Sequence, residues 1–276
     1  HGVFRRQRQM CIRDRNGYLT LLSTATRRPI DIVEISCPGA RDAMFNMDDS
    51  KIFTTCQQEP KGMAVIDVEA RKEIKMVPIK GGRAGGMDPQ GKYFMVSASK
   101  SVHFFDSQTA ELVKTIKVPG GGGNFTCLKD GSKCYVGLRK ANAVGVIDMA
   151  KLELMKTIET GPDANRLYLN PGNSRYGLFA NEAGKSDIVS IIDTQLDVKV
   201  KDIWTGLGPH NVAFDPDGKF AVISTKKENV ATLVDTGSAD PNDWDVITTD
   251  LDSGIQNNGV RWVPSPAALK KALAQN

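Results

Sequence analysis

At 276 residues, with 40% hydrophobic, 25% charged and 7% aromatic content, the chain can bury a sizeable core and is neither a disordered nor a collagen-like sequence. No apolar run approaches the roughly 20 residues that a bilayer-spanning helix needs, and no apolar signal-like segment opens the chain. The formal charge of +4 sits entirely in residues 1–15, where five arginines face one aspartate; residues 16–276 are balanced at 31 basic and 31 acidic groups. With no clustered excess of Lys and Arg left in the body, a nucleic-acid partner is excluded.

In chain order, residues 1–15 read as a non-native or disordered tail, the stretch Arg8–Arg15 resembling translated adaptor sequence. The segment 18–33 then carries two strands with Ser23 between them. From there a single pattern recurs: Asp42–Lys51, Arg83–Lys92, Asn124–Lys133 and His210–Lys219 align without gaps, a degenerate copy starts at Asn165, and a truncated one at Asn258. Successive starts lie 41, 41, 41, 45 and 48 residues apart.

Each unit predicts a first strand, an Asp/Pro/Gly hairpin turn, a second strand such as Phe94-Met95-Val96, a third ending at Asp67, Asp106, Asp148, Asp193 or Asp235, and a fourth such as Leu112–Ile116. The five aspartates read as turn formers whose carboxylates accept backbone N–H bonds. Four strands per repeat with no helical period between them predict an all-β fold, a β-propeller of four-stranded blades. Residues 16–263 form the propeller, with about six of seven expected blades, the ring being cut short and its signal peptide missing. Residues 264–276 follow as a C-terminal helical tail, with Ser265 as cap and Pro266 at the first helical position.

On Phe214–Lys219, Gly208–Val212 and the Val-Ile-Asp endings at Asp67 and Asp148, the chain resembles the YVTN-type β-propeller repeat family, related at fold level to the haem d1 propeller and the quinohaemoprotein amine dehydrogenase propeller subunit. The eponymous tetrapeptide is absent, Tyr135–Leu138 being the nearest match. The resemblance implies a periplasmic or otherwise extracytoplasmic protein.

In a propeller, the starts of first strands and the ends of second strands share one rim of the central channel. Here that rim collects Asp42, Arg83, Asn124, Asn165, His210 and Asn258 from the first strands, and Arg139 and Glu182 from the second, with Cys56, Gln57, Ser97, Ser99, Asn181, Thr225 and Lys226 near the same rim. One reading makes these a site for a small anionic ligand or a protein partner; another makes them polar groups that satisfy strand-end backbone. A lactonase-type hydrolase, with Arg83 holding an anion and His210 or Glu182 moving a proton, is the alternative, as is a haem d1- or quinoprotein-associated redox role with His210 as axial ligand. No cofactor is called for: a lone His makes a poor metal site, there is no haem-attachment motif, and the glycine runs 81–86 and 120–123 lack the Lys-Ser/Thr of a phosphate loop and read as connections between blades. Cys127 and Cys134 should face each other across a hairpin, and are expected as two buried thiols, with a disulfide as the other possibility.

Overall fold

A computed structural model describes residues 9–13, 17–23, 25–26, 28–36, 38–182, 186–228 and 230–252, with backbone alone for 9–13 and 252. These residues form six antiparallel sheets in which strands adjacent in sequence are adjacent in space. The first has three strands, β1 (Gln9–Arg13), β2 (Tyr18–Ser23) and β3 (Pro29–Glu34). Four strands make up each of the others. The second runs β4 (Ala40–Phe45), β5 (Lys51–Cys56), β6 (Gly62–Asp67) and β7 (Lys72–Pro78). The third runs β8 (Ala84–Met87), β9 (Tyr93–Ser97), β10 (Ser101–Asp106) and β11 (Leu112–Lys117). The fourth runs β12 (Phe125–Cys127), β13 (Lys133–Leu138), β14 (Ala143–Asp148) and β15 (Glu153–Glu159). The fifth runs β16 (Ala164–Leu169), β17 (Tyr176–Asn181), β18 (Ile188–Asp193) and β19 (Val198–Trp204). The sixth runs β20 (Pro209–Phe214), β21 (Phe220–Thr225), β22 (Val230–Asp235) and β23 (Asp245–Asp252).

The repeat therefore appears as sheets, strand for strand. One difference concerns Gln9–Arg13, set aside in the sequence as tail, which pairs in register with Leu19–Ser23 as β1. The arginines that made this stretch look like a tail mask a three-residue apolar run, Met10-Cys11-Ile12. Asn258 and the helical tail at 264–276 lie outside the described residues.

The chain divides into two compact units: residues 1–159 with 163–166, and residues 160–162 with 167–276. Unit 1 holds the first four sheets and the first three residues of β16, and its apolar side chains pack between sheets, as where Phe53 of β5 stacks on Phe94 of β9 with ring centroids 5.0 Å apart. Unit 2 is cored by Leu178, Val189, Ile191, Ile223 and Val234, with Trp244 edge-on to Tyr176.

The five strand-ending aspartates do the local work expected of them. Asp67 Oδ1 accepts the Ala70 N–H at 2.8 Å. Asp106 Oδ1 takes Gln108 and Thr109 at 2.9 and 2.8 Å, Asp148 Oδ1 takes Ala150 and Lys151 at 2.9 and 3.0 Å, Asp193 Oδ1 takes Gln195 and Leu196 at 2.8 and 3.0 Å, and Asp235 Oδ1 takes Gly237 at 2.9 Å. Ser23, standing where the others have Asp, accepts from Thr26 N–H at 3.2 Å. A second set, less evident in the sequence, closes the inner hairpins: the buried Asn46, Asp88 and Asp215 accept the N–H groups of Lys51, Tyr93 and Phe220 at 2.9, 2.6 and 2.8 Å.

Cys127 and Cys134 are directly opposed in the β12–β13 ladder, with Cα atoms 3.9 Å apart, and are joined by a disulfide. The expectation of two free thiols is corrected here. Leu128 N–H donates to the Lys133 carbonyl at 2.9 Å, so the next pair along, Cys127 and Cys134, stands in the close, non-hydrogen-bonded register that a short bridge requires.

Candidate functional site at the strand ends

The ends of second strands and starts of first strands gather on one edge of each sheet, opposite the Asp-capped turns. There the second strand of one sheet is tied to the entry of the next. Gln57 Nε2 donates to the Arg83 carbonyl at 3.3 Å, and Ser97 Oγ accepts the Gly122 N–H at 2.7 Å. Arg139 ion-pairs with Asp163, and Glu182 with His210. Contacts of this kind satisfy strand-end polar groups, and they place Arg139, Glu182 and His210 in structural roles whatever else they do.

Two first strands open with the same irregularity. The pairing of β4 with β5 skips the residues between Ala40 and Ala43, and that of β20 with β21 skips those between Pro209 and Val212. A bulge re-aims the side chains it carries, and in both cases these are the polar ones: Arg41 and Asp42 in unit 1, His210 and Asn211 in unit 2.

In unit 1, Arg41 Nε lies 3.5 Å from Asp42 Oδ2, and its Nη2 donates to Asn124 Oδ1 at 3.2 Å. Asp42 Oδ2 also accepts the Gly85 N–H at 3.0 Å, while Asn124 Nδ2 donates to Asn165 Oδ1 at 3.0 Å. Asp42, Asn124 and Asn165 are thus brought together by direct contacts, and Arg41, which the sequence reading passed over, is what joins them. Arg83 is exposed, its stem lying over Gly122. Four guanidinium groups, Arg41, Arg83, Arg139 and Arg166, stand at or beside these strand ends, against the carboxylates of Asp42 and Asp163.

In unit 2 a hydrogen-bonded chain runs through four side chains onto a lysine. Tyr168 Oη donates to Asn211 Oδ1. Asn211 Nδ2 faces His210 Nδ1 at 3.1 Å, and His210 Nε2 meets Glu182 Oε1 at 3.0 Å, the same oxygen that Lys226 Nζ binds. With hydrogen on Nε2, the imidazole donates to the Glu182 carboxylate. The side chains of Glu182, His210 and Lys226 are 10%, 20% and 31% exposed, so the chain is half-sheltered and reachable from solvent. Tyr168 and Asn211 were missing from the sequence-derived ring. Asn211 adjoins the repeat-phase position His210, which is the signal that could have found it. Among the described residues no three His, Cys, Asp or Glu side chains gather to hold a metal, and no helix is long and apolar enough to cross a membrane.

No protein-family model matches the chain, and no curated protein matches it by sequence. Solved structures do. The chain is similar to hydrazine synthase of Kuenenia stuttgartiensis, with TM-score 0.67 and 16% identity, covering 95% of this chain and 87% of that one. It is similar to the β-propeller domain of Myceliophteria thermophila Cps50 (Swd1), with TM-score 0.69 and 13% identity, covering 95% and 88%. A Bacteroides fragilis protein proposed to be a 6-phosphogluconolactonase gives TM-score 0.70 at 17% identity, covering 90% and 80%. At these identities the likeness speaks for fold alone, and together with the repeated four-stranded sheets it makes this chain a β-propeller protein.

Proposed function

We propose that the chain is a YVTN-like binding propeller that works outside the cytoplasm and takes a small anionic ligand or a protein partner at the strand-end rim. The observation that carries this reading is the set of guanidinium groups that the described residues bring to the unit 1 rim, Arg41, Arg83, Arg139 and Arg166, beside the carboxylates of Asp42 and Asp163. Guanidinium groups are suited to forked, charge-assisted hydrogen bonds to carboxylate or phosphate. The extracytoplasmic setting is supported by the Cys127–Cys134 disulfide, a bond that persists in oxidising compartments. Titration of the purified chain with inorganic phosphate and with citrate, followed by calorimetry, tests the reading. Saturable binding that Arg83→Ala weakens on the order of ten- to a hundredfold, at unchanged melting temperature, is the expected result. Absence of saturation by either anion would refute the anionic ligand and leave the protein partner.

A second reading, hydrolysis of a lactone, is favoured by the Glu182–His210 pair, a carboxylate 3.0 Å from an imidazole nitrogen. Proton release from a sugar δ-lactone, abolished in His210→Ala, would replace the binding reading with this one.

A further inference from the structure

The outer strands of four of the six sheets carry a regular guard, while β3 of the first sheet has no lysine and opens with Pro29. β7 has Lys72 and Lys75, β11 has Lys114 and Lys117, β15 has Lys156, and β19 has Lys199 and Lys201. Lysines on an edge strand discourage pairing with another chain. Several also cross to the neighbouring sheet: Lys75 to Glu111, Lys114 to Glu153 at 3.4 Å and to the Lys151 carbonyl at 2.9 Å, and Lys201 to the Asn242 carbonyl.

β23 breaks this rule. It is eight residues long, Asp-Val-Ile-Thr-Thr-Asp-Leu-Asp, with no lysine and no proline. From Glu228 to Asp252 the chain carries seven acidic residues and no basic one. Among the described residues β23 pairs only with β22, on one edge. Asp245 Oδ1 accepts the N–H of its own neighbour Val246, and neither Asp245 nor Asp250 has a cationic partner among the described residues. Between the two acids Ile247 is 53% exposed, and β19, which runs beside β23 in the same unit, ends in Trp204 at 69% exposed. Among the described residues the strand thus offers an unpaired backbone edge, apolar side chains to cover and negative charge to neutralise.

We propose that β23 is a docking edge for an extended, basic segment of a partner protein, which adds to the sixth sheet as a fifth strand through main-chain hydrogen bonds, with its lysines or arginines set against Asp245 and Asp250. Strand addition draws affinity from the backbone and selectivity from alternate side chains. The charge pattern selects a basic partner over a second copy of this chain, whose own β23 would bring like charges together.

The probe is a fluorescein-labelled synthetic octapeptide, Lys-Val-Lys-Ile-Thr-Val-Lys-Thr, titrated with the full chain and followed by anisotropy at low salt and at 0.5 M salt. Saturable binding is expected, weakened at least tenfold by high salt and by the double variant Asp245→Lys/Asp250→Lys. It should also be weakened at least tenfold in a peptide N-methylated at alternate residues, which keeps the charge but loses the ladder. Matching melting curves for variant and parent confirm that the variant is folded. Failure to saturate at low salt overturns the proposal, and so does equal binding by the N-methylated peptide or by the double variant. Sedimentation showing a dimer of the parent chain that the double variant abolishes would assign the edge to self-association instead, and also overturns it.

Discussion

Gly137 of β13 lies against the main chain of Ala164 and Asn165 at the start of β16, so close that a Cβ on Gly137 would stand 2.6 Å from the Ala164 carbonyl oxygen. Gly123 shares the contact, its own Cβ position falling 2.5 Å from the Gly137 Cα, and Asn124 N–H donates to the Asn165 carbonyl at 2.9 Å beside them. The absence of side chains is what lets these inner strands touch. Gly137→Ala should cost about 2 kcal/mol of stability through overpacking against rigid backbone, a fall of roughly 5 °C in melting temperature by calorimetry. An unchanged melting point would show that the strands stand further apart.

The Cys127–Cys134 bridge closes a short loop over the shortest strand of the fold. Restricting the unfolded chain across such a loop contributes on the order of 2 kcal/mol. Cys127→Ser/Cys134→Ser should therefore lower the melting temperature by several degrees, read by calorimetry under non-reducing conditions. An unchanged melting temperature would show that the bridge does not restrict the unfolded chain.

Asp193 is the most sheltered of the turn aspartates. Burial pushes its carboxyl up, but the Arg175 guanidinium and the Leu196 and Gln195 N–H groups outweigh that and hold it below the ordinary carboxylate range. Its folded pKa being the lower one, Asp193 stabilises the fold above about pH 4 and loses that contribution as pH falls through the native pKa. Melting temperature should drop in acid below about pH 4, and Asp193→Asn should flatten that drop while costing about 2 kcal/mol at neutral pH. A variant profile parallel to the parent's would remove Asp193 from the acid transition.

His103 sits on β10 between two hydroxyls, Ser101 Oγ at 2.9 Å and Thr115 Oγ1 at 3.0 Å. Burial holds its imidazole below the ordinary range, so the folded state favours the neutral ring, and stability from this site is lost as pH falls below about 6.5. Ring-proton NMR should give His103 a titration midpoint below that of a histidine in an unfolded peptide. A midpoint at or above it would contradict the burial.

Much of this fold could be read directly, because its turn chemistry repeats. Asp67, Asp106, Asp148, Asp193 and Asp235 mark third-strand ends as expected, and the substitution at Ser23 keeps the acceptor that the turn needs. The candidate site was legible only as positions. Repeat phase brings Asp42, Asn124 and Asn165 to one edge, yet nothing in the phase shows that Arg41 bridges them, because the bulge between Ala40 and Ala43 turns that residue out of register. The same holds for Asn211 beside His210. The disulfide went the other way: the facing of Cys127 and Cys134 followed from the hairpin, while its oxidation depended on a close register that hairpin length alone does not fix.

Each sheet of this protein has two ends with different obligations. At one end Asp, Asn and Gly answer to backbone N–H groups, so the residue allowed there is dictated by the turn. At the other end Gln57, Ser97, Arg139 and Glu182 perform one task, tying a sheet to the entry of the next, with four different chemistries. An amide, a hydroxyl, a cation and an anion serve equally, so the tie constrains reach and polarity but leaves identity open. New recognition chemistry can therefore be installed one sheet at a time along that rim while the turns that define the fold stay as they are.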